Sequence, residues 1–352
     1  MTFPSPRATL TTSTAAIALA LFGPLLAVPA WAETVTGVPL DASFKAADRA
    51  SSMLKVIDAD KTALKGIQRA AISSFQVEFV TKGAASASSY EIGRSGRAST
   101  NTVITLVGVG GADFQAITEQ LHGEFVRDLK GMGIEVVPTG KILAATAYKK
   151  MAASGKPSPA ETRTSDTWST VYAPGGLGIY GVGSSSNAVA IFSGFSAFSD
   201  VTSTMFANIE LAKELDAAVV VVRMVVNFVS LKSSDSSWFG RSSGTATVRG
   251  EVSPSVAGTS TTMFVQRSTT NATMTLQSPL LIDSAAISEV KDTSSVVANV
   301  GLAVLSLAIG GGNSSSAVEK EAVADAAQYR TLVSAGVGTV REMFMTRLRA
   351  GQ

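Results

Sequence analysis

The chain is 352 residues long, with 29 basic residues against 27 acidic ones, a single histidine and no cysteine. Without cysteine there is no disulfide, no thiolate metal site and no lipid-bearing cysteine, so stability has to come from a buried core. A nearly balanced charge with no clustered Lys or Arg argues against a nucleic-acid surface. The low charged fraction, 16%, with abundant Ser, Thr, Ala and Gly, fits an exported bacterial protein, or one that buries surface in an oligomer or at a membrane.

Residues 1–32 carry Arg7 as their only charge, an apolar run interrupted by Pro24 and Pro29, and the small-residue site Ala30-Trp31-Ala32 before Glu33. This is the pattern of a signal peptide, with an N-terminal membrane anchor as the competing reading; either takes the chain out of the cytoplasm. Residues 33–352 are then expected to form a single α/β domain. Phe44, Ala47, Leu54 and Ile57 recur at helical spacing and predict an amphipathic helix over 43–56. From 71 to 80, Phe75, Val77 and Phe79 alternate with Gln76 and Glu78, as in a strand with one face in the core. Residues 82–100 have no period and are rich in Gly, Ser and Ala, which predicts a mobile loop with a short extended piece at 90–92.

The clearest signals lie in 101–138, which reads as a β-α-β unit. Residues 102–107 are β-branched and apolar, GVGG breaks the strand, and Asp113 stands where an N-cap would sit. Phe114, Ile117, Leu121, Phe125, Leu129 and Met132 form an apolar stripe that must lie on a sheet; Gly131 and Gly133 end the helix, and 134–137 return as a strand. A shorter helix is expected over 141–151, a Gly-dense extended segment over 175–183, a strand over 188–192 and a helix over 200–217. The run 219–231 is the strongest strand in the chain, and Val219 to Val222 show no alternation, so both faces should be buried there. A Ser/Gly loop with Trp238 and Phe239 follows, then three short stretches, 245–252, 261–266 and 272–276, that suggest an antiparallel β-meander within 244–276. The apolar run 296–309 is too short to span a bilayer as a helix and is read as a core helix in preference to a membrane-associated segment. Val318, Ala322, Ala326, Tyr329, Val333, Val337, Val340, Phe344 and Leu348 place a long C-terminal helix over 317–349, with Gly336 and Gly338 as a kink. The fold class expected is α/β (α+β), a mixed sheet flanked by amphipathic helices.

Candidate chemistry is thin. GVGGAD, residues 108–113, follows a strand and opens a helix as a phosphate-binding turn would, but it has neither the third glycine of GxGxxG nor a P-loop lysine. A plain turn is the better reading. His122 would have to anchor any Ser-His-Asp triad or histidine metal site, and it sits beside an apolar stripe, where packing is expected. Ser52 to Lys55 and Ser288 to Lys291 both match S-x-x-K, but the companion K-T-G is missing. Asp58 and Asp60 are not continued by a ligand loop. No catalytic, cofactor-binding or metal-ligating residue is assigned, and the chain is expected not to be an enzyme.

Three stretches resemble the CsgG-like family, the curli secretion-channel subunits and their relatives, in the order of their elements. They are AISSFQVEF; FQAITEQLHGEFVRDLKGMGIEVVPTGKILAA, an amphipathic helix ending in G-x-x-V-V with a second helix after it; and LDAAVVVVRMVVNFVSLKSSDSSWFGRSSGTATVRGEV. The resemblance implies a periplasmic α/β domain of a type that assembles into rings at the outer membrane, some members adding hairpins to a shared β-barrel. Channel-forming members are lipoproteins, whereas this chain has no cysteine to lipidate, and a membrane strand needs about ten residues with an apolar side. The expectation is therefore an exported, non-enzymatic component of secretion or surface assembly, in the periplasm or at the outer-membrane periphery. Its expected partners are other copies of itself and other envelope proteins; the alternative is a monomeric periplasmic ligand-binding protein.

Overall fold

The computed structural model describes residues 37–58, 61–90, 97–164, 166–180, 198–233, 246–293, 305–309 and 314–352. The expectations for 1–32, 188–192 and 296–304, and those for Trp238 and Phe239, fall outside these residues. Residues 34–352 make one compact unit. In chain order the elements are β1 (Val38–Pro39), α1 (Ala46–Met53), β2 (Leu54–Asp58), β3 (Arg69–Tyr90), β4 (Arg97–Val107), α2 (Gly111–Gly131), β5 (Glu135–Val136), α3 (Thr139–Ala144) and α4 (Thr146–Ala152). They continue with β6 (Ala160–Arg163), β7 (Thr167–Tyr172), α5 (Phe198–Leu215), β8 (Ala218–Ser233), β9 (Ala246–Val256), β10 (Thr262–Gln266), β11 (Asn271–Leu276) and β12 (Leu280–Leu281). A 3-10 turn (Ser284–Ala286), β13 (Glu289–Asp292), β14 (Leu305–Ile309), β15 (Ser314–Val323) and α6 (Ala326–Gly351) complete the order. The fold is α+β, a curled mixed sheet with helices packed on it and a long helix at the C-terminus.

The sheet is built on β3 and β8, which run parallel from Ala70/Ala218 to Phe79/Val226. Phe75, Val77 and Phe79 are fully buried, and Val219, Val220 and Val222 nearly so, because parallel neighbours covered on both sides leave no face for water. The predicted stripe of α2 supplies one cover: Phe114 stacks on Phe79 at 4.5 Å between ring centroids, and Phe125 meets Phe75 edge-on at 5.6 Å. Burying each such ring stabilises the fold by roughly 1.5–3 kcal/mol. Helix α6 lies alongside α2 and runs in the same direction, since Arg330 approaches Asp113 at 3.9 Å near their N-terminal ends and Arg341 meets Glu124 and Asp128 further along. Tyr329, Val333, Val337, Val340, Phe344 and Leu348 of its predicted stripe are all buried. At Gly336 a β-carbon would come within 2.7 Å of Ile282, so glycine lets α6 approach that side chain. The N-terminus of α4 is capped from α5: Glu214 accepts the Thr146 and Ala147 amides at 2.7 and 2.9 Å, and those two bonds hold its carboxyl below the usual range.

Several expectations are corrected. The predicted loop at 82–100 is instead, over its described residues, the far half of a β-hairpin, with Lys82 to Tyr90 of β3 paired to β4 in register. The helix expected over 43–56 stops at Met53, because Leu54–Asp58 is claimed as β2 by pairing with β11. The helix expected over 317–349 starts only at Ala326, capped by Asp325, whose carboxylate accepts the Gln328 amide; the residues before it are β15, parallel to β4. The apolar run at 296–309 is not a core helix where it is described: Leu305–Ile309 is β14, paired with β9. The helix at 141–151 is two short ones, the helix at 200–217 closes at Leu215, and the strand at 134–137 is reduced to Glu135–Val136. In the expected meander β10 and β11 do form a hairpin, but β9 pairs with β8 and not with β10.

Candidate functional site

The residues singled out from the sequence do not converge. Asp113 is the third residue of α2 and not its cap; its carboxylate reaches back to the Gly110 amide at 3.1 Å. The glycine that matters in GVGG is Gly108, at φ +88°, where the chain passes against Ala324 at the end of β15. Packing against Ala324 accounts for the glycine at this turn. Ser52 Oγ donates to the Arg49 carbonyl on the exposed side of α1, while Lys55 falls on the next strand, so the S-x-x-K spacing never becomes one helical face. Ser288 Oγ donates to the Val323 carbonyl, and Lys291 pairs with Glu289 at 3.4 Å. Asp58 receives the Thr62 and Ala63 amides in a turn; Asp60 lies outside the described residues. Among the described residues no cluster of His, Asp and Glu could hold a metal ion.

His122 is half-buried on α2, with its ring edge-on to Phe75 at 5.2 Å. Burial lowers its pKa below 6.5, opposed by the nearby Glu119. A base whose folded pKa is depressed binds fewer protons than it does in the unfolded chain, so its contribution is present above pH 6.5 and is lost as pH falls below that value. The wild-type melting temperature should therefore drop between pH 7 and pH 5 by more than that of His122→Gln. Equal drops in a thermal melt would show that the imidazole is not desolvated.

A buried polar cluster went unnoticed in the sequence. Glu78 on β3 accepts from Arg223 Nη2 of β8 at 2.8 Å and from Ser169 Oγ of β7 at 2.5 Å. The two charged side chains are only 9% and 12% exposed. Below them Gln76 donates to Ser74 Oγ and to the Tyr180 carbonyl, and Ser73 bonds Asn208 of α5. The signal for it was a charge inside each of the two most apolar strands. The cluster ties β7, β3 and β8 together where β3 and β8 cease to pair.

Above that point β3 and β8 no longer pair. Among the described residues, β3 pairs only with β4 from Ala84 to Tyr90, and β8 pairs only with β9 beyond Val226. The outer edge of β4 carries β15, and that of β9 carries β14. The result is two ribbons of long strands, β3 having 22 residues and β8 having 16. At the base of the first ribbon Trp168 is flanked by two cations, Lys82 Nζ at 4.9 Å and Arg163 Cζ at 4.5 Å from the ring centroid. The Gly-dense stretch forms, over Gly175 to Gly178, a shallow open depression with Gln115, Pro157 and Ser158, and Glu119 accepts the Gly175 amide there. Among the described residues no helix is long and apolar enough to cross a membrane, which says nothing of crossing by strands. No protein-family model matches this sequence, and neither a curated protein nor a solved structure is significantly similar to it.

Proposed function

We propose that this protein is an exported, non-enzymatic component of a secretion or surface-assembly system, working in the periplasm or at the outer-membrane periphery as a ring of like subunits. The observation that carries the reading is the pair of ribbons. Residues 83–90 and 98–107 hold no charged side chain, and both lie in long strands that continue past the point where the central sheet divides. Long strands with little charge are poorly suited to standing alone, since their edges invite pairing with another chain. The element order of the CsgG-like resemblance, in which hairpins extend from an α/β body, supports the same reading. The roles of His122 in packing and of Ser52 and Ser288 in backbone bonding support its being non-enzymatic.

Copies joined in a ring bury the same pair of surfaces at every contact, so the assembly has one discrete size. Light scattering of the full chain in mild detergent is expected to give a single mass above the monomer that persists on dilution, with the protein found in the membrane fraction. A monomer confined to the soluble periplasmic fraction would sink this proposal and favour the ligand-binding alternative.

A further inference from the structure

We propose that one copy of this chain joins the next by pairing the open edge of β6 with the open edge of β13, in parallel, with Glu161 opposite Lys291. The inference rests on the ring reading above and names the surfaces that meet. Among the described residues β6 pairs only with β7, and β13 only with β15. The two strands end the same layer of sheet, β6-β7-β3-β4-β15-β13. One rung crosses all six strands: Arg163, Trp168, Lys82, Thr105, Glu321 and Lys291 are successive partners. Both open strands therefore sit at the same height, and following the pairings shows that both run in the direction of β3. Copies related by rotation about an axis tilted from the strands would meet edge to edge in parallel, with a stagger along the strands set by the tilt.

Three features bear on the register. The first is backbone phase. The Thr164 amide donates to Thr167, so alternation turns the N–H and C=O of Glu161 and Arg163 toward the open edge. The Thr293 amide donates to Glu319, so the same alternation turns those of Val290 outward. In a parallel pair with Glu161 opposite Lys291, the Glu161 amide meets the Val290 carbonyl, as the slanted parallel ladder requires. The second feature is facing: Glu161, Arg163, Lys291 and Glu321 share the face that carries the rung, so a sheet continued across the seam keeps them on one side. The third is charge. At equal height Arg163 would oppose Lys291 and Glu161 would oppose Glu289, like against like. Sliding one copy by two residues sets Glu161 opposite Lys291 and brings Arg163 level with Glu319, which has no ion-pair partner among the described residues. The opposite slide leaves the two short strands almost without overlap. Glu161 and Asp166 also lie on the β6–β7 hairpin, yet Arg163 pairs with neither and rests on Trp168.

Because the chain has no cysteine, an introduced pair can report the seam without background. Opposed residues on neighbouring strands lie within disulfide reach, so the full chain carrying both Glu161→Cys and Lys291→Cys, oxidised or bridged by a short bifunctional maleimide, should give a ladder of covalent multimers on a denaturing gel. Either substitution alone should give none. Independently, Glu161→Lys or Lys291→Glu should weaken self-association by about tenfold, and the two together should restore it, because like charges opposed across paired strands repel. Circular dichroism matching the wild type confirms that each variant is folded. A discrete oligomer that yields no ladder, or a double charge reversal as weak as either single one, overturns this seam while the ring reading stands. A monomeric wild-type chain, together with no ladder from the double-cysteine variant, overturns both.

Discussion

Arg223→Ala is expected to destabilise the fold by about 3–5 kcal/mol, read as the midpoint of urea unfolding, because it leaves the Glu78 carboxylate buried without its cation. Glu78 has Ser169 as a remaining donor, but one hydroxyl does not replace a guanidinium. The argument separates the pair from its parts. Two charges removed from water gain back little more than their desolvation cost, so replacing both with apolar residues of similar volume should be close to neutral. The double variant Glu78→Leu with Arg223→Met should therefore recover most of the loss. If Arg223→Ala cost under 1 kcal/mol, on the order of an exposed pair, the cluster would have to be open to water. Its position suggests what the pair is for: Glu78 lies one rung below the last contact between β3 and β8, and Arg223, opposite Gln76, lies three rungs below it. Fixing register there decides where the two ribbons begin.

That arrangement also shows how far the sequence could be read. Where a segment buries one face against its neighbour, the period is written into it, and β3 up to Val80, β4 from Thr102, α2, α5 and the first half of β8 all follow from local pattern. The β10–β11 hairpin was legible for the same reason. Residues 82–90 and 97–100 were not, since small side chains such as Ser and Ala carry little contrast between faces, and the strand is held there by cross-strand register with β4. The mistaken helix at 317–325 has a sharper cause. Val318 and Ala322 are four apart, a spacing that keeps residues on one face of a helix and also on one face of a strand, so the stripe of α6 ran back into β15 unnoticed. Leu54 and Ile57 likewise extended the pattern of α1, and only the distant β11 makes them strand.

The candidate site was less legible than the fold. The structure gives His122, Ser52, Ser288 and Asp58 local partners, of ring contact or hydrogen bond. Glu78 and Arg223 are separated by 145 residues, and their meeting depends on which strand lies beside which. No reading of either strand alone contains that. The open edges of β6 and β13 are of the same kind, properties of sheet order and not of either four-residue segment.

Gly108→Ala is expected to cost about 2–5 kcal/mol, the sum of a left-handed backbone conformation forced on an L-residue and a side chain placed where no room exists. At φ +88° Gly108 turns the chain out of β4 toward α2. A β-carbon built there overlaps the carbonyl oxygen of Ala324. That oxygen is backbone and cannot swing aside, because the Ala324 amide is itself tied to the Val107 carbonyl at 2.9 Å. Relief would require the end of β15 to separate from β4, and with it the start of α6, whose cap at Asp325 is the next residue. The effect should thus appear as a lower urea midpoint together with faster hydrogen exchange at Val323 and Ala324. Gly110→Ala, two residues on, is the matched control: its backbone is extended and nothing stands within 4 Å of the added atom. It should cost under about 1 kcal/mol, the loss of a modest N-cap preference. Equal stabilities for the two variants would mean that the glycines of GVGG serve something other than this close approach, and would reopen the turn as a binding element.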